Sequence, residues 1–153
     1  MWSEVNFGKW RGKGKTLPQI MVSDPDWFFW ALEEGAFKGM LKSEADKLAR
    51  RARAIKLPMS LAGTHCIQYM FTSEGKFAGF NVIPSNRPAH VGSSSESRSP
   101  TLDLAAPRCV RSYDKLGAKL LLASFKSRWL ADKTFTKARV EAFFDNPGNF
   151  VSP

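Results

Sequence analysis

At 153 residues, 43% of them hydrophobic and with twelve Phe and five Trp, the chain has the composition of one globular domain, or of one small domain with an appended piece. Its formal charge of +9 favours an anionic partner, nucleic acid above all, through a long-range and salt-sensitive attraction. Two cysteines make no disulfide framework and the start Met1-Trp2-Ser3-Glu4 lacks a signal-peptide pattern; no stretch nears the roughly 20 apolar residues of a membrane span, so a cytoplasmic chain without membrane contact is expected.

Residues 4–10 read as a short strand with Val5 and Phe7 on one face. The glycine-rich stretch FGKWRGKGKTL (7–17) then turns the chain. Its ending, Gly14-Lys15-Thr16, imitates a phosphate-binding P-loop, but the leading glycine of that motif falls on Lys9, and no buried apolar strand precedes it. The stretch is better read as a basic turn. Leu17, Ile20 and Met21 stand at helical spacing, and Asp24-Pro25 is a helix start, with Asp24 as cap and Pro25 in the first turn. In the helix that follows, Trp27, Trp30 and Ala31 share a face that Phe28, Phe29 and Leu32 extend, so burial on several sides is expected, ending near Gly35. A second helix opens with Ser43 as cap, carries the stripe Ala45, Leu48, Ala49, Ala52 and Ile55, and stops at Pro58.

The period then changes to alternation. Residues 66–72 and 77–83 predict a β-hairpin across Ser73-Glu74-Gly75-Lys76, with Ile67, Tyr69 and Phe71 on one face. Residues 84–100 hold three Pro and six Ser and predict a loop or linker, and 101–105 is a candidate third strand. A long helix is expected from about Ser112 to Ala131, with Asp114 in its first turn, and Thr136 caps a last short helix that Pro147-Gly148 stops. The fold class is therefore α+β: a small antiparallel sheet (hairpin 66–83, with 101–105 as third strand) packed with four to five helices. Residues 1–58 form a basic turn plus helices. Residues 59–153 carry the hairpin, the serine-rich loop and the C-terminal helices, and the two parts pack as one unit.

Catalytic chemistry is thinly supplied. His65, His90, Cys66 and Cys109 lack the paired spacing of a structural zinc site. They read as small core cysteines and loop histidines, and no metal or other cofactor is implied. The carboxylate pairs Glu33-Glu34 and Asp24/Asp26 suit helix ends or solvent as well as acid–base work, and no nucleophile elbow occurs. Binding chemistry remains. Lys9, Arg11, Lys13 and Lys15 alternate with glycines and Trp10, so cations can neutralise phosphate, the backbone can approach it, and the indole can stack a base. The alternative is a solvated basic hairpin whose Trp10 fills the core beside Trp27 and Trp30. On the long helix Arg111, Lys115, Lys119, Lys126 and Arg128 fall within about a third of the circumference, with Leu122 and Trp129 among them; packing of cationic stems beside apolar groups is the other reading of that stripe. Arg50 and Arg51 are a further basic pair. Positive charge is divided between the ends, since residues 1–60 hold 11 Lys/Arg against 7 Asp/Glu and residues 101–153 hold 9 against 5. Any basic face has to be assembled by folding.

The blocks FGKWRGKGKTLPQI and SDPDWFFWALEEGAF resemble the small domain at the C-terminus of exodeoxyribonuclease X-like proteins, which also occurs alone in small phage and bacterial proteins. Phe7, Gly8, Lys9, Trp10, Arg11, Gly12 and Lys13 match its first block, and Asp24, Pro25, Trp27 and Trp30 its second, with Phe28 in place of a Leu. The second Gly-Lys, Gly14-Lys15, is an insertion relative to that pattern. The likeness spans about residues 5–37 and implies an accessory module that contacts DNA without the nuclease core. The resulting expectation is a non-catalytic nucleic-acid-binding accessory protein of bacterial, phage or mobile-element origin. Its contacts would be Lys9, Trp10, Arg11, Lys13 and Lys15 first, then Arg50, Arg51, Lys115 and Lys119. The alternative is a phage or mobile-element regulator that binds an acidic protein, and a metal enzyme built on the histidines and cysteines stands third.

Overall fold

A computed structural model of the chain describes residues 2–108, 115–131 and 133–151, and of residues 108 and 115–118 the backbone alone. It is an α+β fold. Among the described residues five α-helices surround two small antiparallel sheets: α1 (Leu17–Ser23), α2 (Pro25–Glu33), α3 (Met40–Ala52), α4 (Lys115–Trp129) and α5 (Lys137–Asp145), with strands β1 (Ile55–Lys56), β2 (His65–Phe71), β3 (Phe77–Pro84), β4 (Ser95–Ser99) and β5 (Thr101–Leu102).

Capping chemistry sets the first helices. The Gln19 side chain accepts from the Thr16 N–H at 3.0 Å, one arm of a capping box that opens α1. A helix of seven residues is marginal on its own, and burial sustains this one, because Leu17, Ile20 and Met21 are wholly inaccessible. Asp24 starts α2 by accepting the Trp27 N–H at 3.1 Å, and Gly35, at φ 68°, ends it. The helix is not buried all round. Phe28, Phe29 and Ala31 enter the core, whereas Trp30 is 47% exposed and Trp27 is half-buried against Phe7, Trp10 and Phe37. The expected strand over residues 4–10 shrinks to a single bridge between Glu4 and Thr16, because Gly8 at φ 60° diverts the chain into a 3-10 turn over Gly8–Trp10. The next helix begins at Met40 behind Gly39, so Ser43 lies inside it and does not cap it. Ala45, Leu48, Ala49 and Ala52 are its buried face, and the helix stops there, ahead of Pro58; Ile55 is buried too, but from β1.

The hairpin forms over β2 and β3, closed by the Thr72 N–H to Lys76 carbonyl bond at 2.8 Å. Its third partner is β4, in the order β3-β2-β4, with Tyr69 opposite Ser97. The segment 84–100 is therefore not simply a loop. Apolar alternation is absent from β4, and polar bonds hold it instead. Glu96 accepts from the Gln68 amide at 2.5 Å and from the His90 N–H at 3.0 Å, and Arg98 donates to the carbonyls of Arg87 and Pro88 at 2.8 and 2.9 Å. The Gln68 donor, the His90 N–H and the Arg98 guanidinium hold the Glu96 carboxyl down at about 2. Residues 101–102 leave the hairpin sheet and pair with β1, Ile55 opposite Leu102.

The two ends of the chain close one core. Helix α5 packs on α1, Trp2 Nε1 donates to Asp145 at 2.8 Å, Phe150 bridges Ile55, and the Val151 N–H reaches the Ala54 carbonyl at 2.9 Å. Thr136 caps α5 by accepting the Arg139 N–H at 3.2 Å. Helix α4 contacts β3 and buries Leu121 and Phe125 in the core. The expected start of that helix at Ser112, with Arg111, Asp114 and Cys109, lies outside the described residues.

Candidate nucleic-acid interface

Backbone geometry builds the basic turn. The Val5 N–H donates to the Lys15 carbonyl at 2.8 Å and the Gly12 N–H to Asn6 Oδ1 at 3.0 Å, which closes the loop at its base and across its middle. Gly8, Gly12 and Gly14 take φ of 60°, 73° and 64°, the left-handed region that side chains disfavour. Nothing lies within 4 Å of a Cβ built on Gly12, so backbone conformation alone requires glycine there.

The four cations of the turn have different surroundings. Lys9 is paired with Asp24, the carboxylate that also caps α2, and so pins the turn to the helix. Arg11, Lys13 and Lys15 are exposed and enter no ion pair within 4 Å among the described residues. Trp10 is half-buried, edge-on to Trp27 at 6.2 Å, with the ammonium groups of Lys9 and Lys13 at 5.4 and 5.8 Å from its ring centre. Its Nε1 is buried with no hydrogen-bond partner among the described residues. Thr16, which completes the P-loop-like ending, is itself buried and bonded to Gln19. Its hydroxyl is not free for a metal or a phosphate.

The second set divides likewise. Arg51 donates to the Phe144 carbonyl at 2.5 Å and lies over the Phe150 ring at 5.5 Å, so it ties α3 to α5 and the C-terminal segment. Arg50 is exposed. With Lys47, Arg51 and Phe150 it lines a cavity of about 550 Å³. Lys119 is exposed on α4, and the side chain of Lys115 lies outside the described residues. Of the expected stripe on α4, Arg128 is exposed, while Leu122, Lys126 and Trp129 are half-buried.

Sequence reasoning missed Lys56. In Ile55-Lys56-Leu57 the two apolar neighbours are buried and the lysine between them is exposed, a period-2 signal too short to stand out in the sequence. Lys56 and Arg128 line a cleft of about 880 Å³ together with His65, Trp129 and Phe143. Ala54 and Val151, themselves joined by the Val151 N–H to Ala54 carbonyl bond, border both this cleft and the Lys47–Arg50 cavity, so the two are neighbours. Lys56 of β1 and Arg128 of α4 thus meet at one cleft, with Lys47 and Arg50 of α3 in the cavity beside it. The turn lysines line neither cavity.

Among the described residues no three His, Cys, Asp or Glu side chains are grouped to hold a metal ion. His65 Nδ1 is bonded to Thr64 Oγ1 at 2.7 Å, His90 Nε2 to Ser94 Oγ at 2.8 Å, and Cys66 is half-buried at the cleft and not a core residue. Burial pushes the Asp103 carboxyl up, against the Ala105 N–H and Arg53, which pull it down. No described helix is long and apolar enough to cross a membrane. Compared with known proteins, the chain matches no family model, no curated protein and no solved structure.

Proposed function

We propose that the chain is a non-catalytic nucleic-acid-binding protein that grips phosphate through its basic turn. The observation that carries this reading is the sorting of the turn's cations. One, Lys9, anchors the loop, and three, Arg11, Lys13 and Lys15, stand exposed with no ion-pair partner among the described residues. A rigid loop that keeps cations unneutralised suits a polyanion, whose condensed counterions are released on binding. In this reading Trp10 supports the lysines and is not a stacking platform, because its edge meets Trp27 and two ammonium groups flank its ring. Arg50 and Lys119 add exposed charge, and Arg51 serves the fold. The likeness of residues 5–37 to the exodeoxyribonuclease X-like small domain points the same way.

The test is a titration of labelled duplex DNA across salt concentrations. Changing Arg11, Lys13 and Lys15 to Glu should flatten the plot of log affinity against log salt by about 2.7 units of slope, since each of three duplex phosphate contacts contributes about 0.9. An unchanged slope would reject the turn as the contact. The second reading, a regulator that binds an acidic protein, has one observation in its favour: Trp30 is 47% exposed beside Trp27, at 6.4 Å between ring centres, and could anchor an interface. It predicts that Trp30→Ala abolishes a partner complex and leaves DNA titrations unchanged.

A further inference from the structure

We infer that the groove lined by Lys56 and Arg128, with the neighbouring Lys47–Arg50 cavity, is a separate binding track for single-stranded nucleic acid. The inference shares the nucleic-acid reading above but does not depend on the turn, whose lysines line no part of the groove. Three features support it. First, no carboxylate among the described residues lines either cavity, whereas Lys47, Arg50 and Arg51 line one and Lys56 and Arg128 the other. Arg51 is taken up by the Phe144 carbonyl, but Lys47, Arg50, Lys56 and Arg128 meet no carboxylate in these linings and favour an anionic occupant. Second, the two cation-lined cavities are neighbours on either side of the bonded pair Ala54 and Val151. A single phosphate would use one cavity, and successive phosphates of one strand can use both.

Third, burial divides the large cleft. Lys56 and Arg128 are exposed, and Trp129 and Phe143 in the same lining are half-buried. Trp129 is also fixed. Its Nε1 donates to the Lys56 carbonyl at 2.7 Å, and its ring stacks on Phe125 at 5.8 Å and 30°. An indole held in place beside two exposed cations presents aromatic surface where an unpaired base can lie while its phosphates meet the rim. Duplex DNA keeps its bases paired inside a rigid rod and offers nothing to such a floor. An acidic peptide matches the charge but supplies no regular alternation of flat ring and phosphate.

The experiment uses the full chain with a labelled oligo-dT strand and a hairpin duplex of equal phosphate count. Lys56→Glu combined with Arg128→Glu should weaken oligo-dT binding about tenfold at 0.1 M salt and lower its salt slope by about 1.4, two phosphates' worth on a single strand. Duplex binding should change little. The Arg11, Lys13 and Lys15 reversal should do the opposite. Ultraviolet crosslinking of 4-thiothymidine strands to the unmodified protein should label Met59, Trp129 or Phe143, a readout that no folding defect can imitate. Crosslinks confined to the turn, equal loss of strand and duplex in the groove variant, or equal displacement of oligo-dT by free dTMP or by an oligo-glutamate peptide would overturn the track. Duplex binding without strand binding would overturn it and leave the turn standing. Binding of neither would end both.

Discussion

Asp24 joins stability to binding, and its two duties can be separated by substitution. One carboxylate oxygen accepts the Trp27 N–H at 3.1 Å as the cap of α2, and the other takes the ammonium of Lys9. Asparagine keeps a capping oxygen and loses the ion pair; alanine loses both. A lost cap costs about 0.5–2 kcal/mol, and a partly exposed pair such as this one is worth about 0–1 kcal/mol. Asp24→Asn should therefore destabilise the chain by at most about 1 kcal/mol, and Asp24→Ala by about 0.5–3 kcal/mol in urea unfolding. Binding should move the other way. Both variants remove a negative charge beside the turn and release Lys9, which can then reach phosphate, so the duplex salt slope should steepen by about 0.9. The design compares unfolding curves with DNA titrations for the same three proteins. Equal destabilisation by Asn and Ala would reject the cap, and weaker DNA binding in both would reject the view of Lys9 as an anchor held back from the ligand.

Replacing Trp10 by Phe keeps a ring against Trp27 and deletes the buried, unpartnered Nε1, whose burial costs about 1–3 kcal/mol; urea unfolding should show unchanged or higher stability, and DNA titration no loss of affinity. Arg51→Ala removes the donor to the Phe144 carbonyl and should cost about 1–3 kcal/mol, while the duplex salt slope stays as it was. For Glu96 the folded pKa, about 2, lies below the ordinary 4.5, so its contribution to stability is complete above about 4.5 and is lost as pH falls toward 2. Hydrogen exchange at β4 should rise through that window, and Glu96→Gln should flatten the dependence.

What could be read from the sequence was whatever local chemistry decides. Asp24-Pro25 starts α2, Gly35 stops it, Thr136 caps α5, and the alternation of 66–83 gives the hairpin, because each depends on neighbours a few residues away. Strand β4 was hidden for the opposite reason. Ser95 to Ser99 carries no apolar period, and its partners Gln68, His90 and Arg87 are distant in sequence or reached only through a turn. The same rule divides the site. The turn is a contiguous motif, so its cations stand out in the sequence as candidates. The groove draws Lys47, Lys56 and Arg128 from three elements, and it becomes visible only when β1 pairs with β5 and Trp129 bonds to the Lys56 carbonyl.

Net charge says nothing about which cations are free to bind, because the partner of each is a tertiary fact. Lys9, Lys42, Arg53, Lys76 and Arg98 each face a carboxylate, and Arg51 faces a carbonyl, so their charge is spent within the fold. Of the exposed remainder, Lys38, Arg87, Lys119, Lys133, Lys137 and Arg139 are spread over other parts of the surface, and two groups stand on defined supports, the turn mounted on α2 and the cavities beside α3, β1 and α4. Both supports belong to one core, since α1 contacts α2, α3 and α5, and Phe150 of the C-terminal segment bridges β1. If both bind phosphate as proposed, two modest sites on one body would act on a long ligand as a linked pair. Engagement of the first raises the effective concentration at the second, provided the nucleic acid spans both. Oligonucleotides long enough to reach from turn to groove should therefore bind more tightly than the number of phosphates alone predicts. A partial duplex with a single-stranded tail, which offers each site its preferred form, should show the largest gain, and affinity that rises only in proportion to length would mean that the sites never act together.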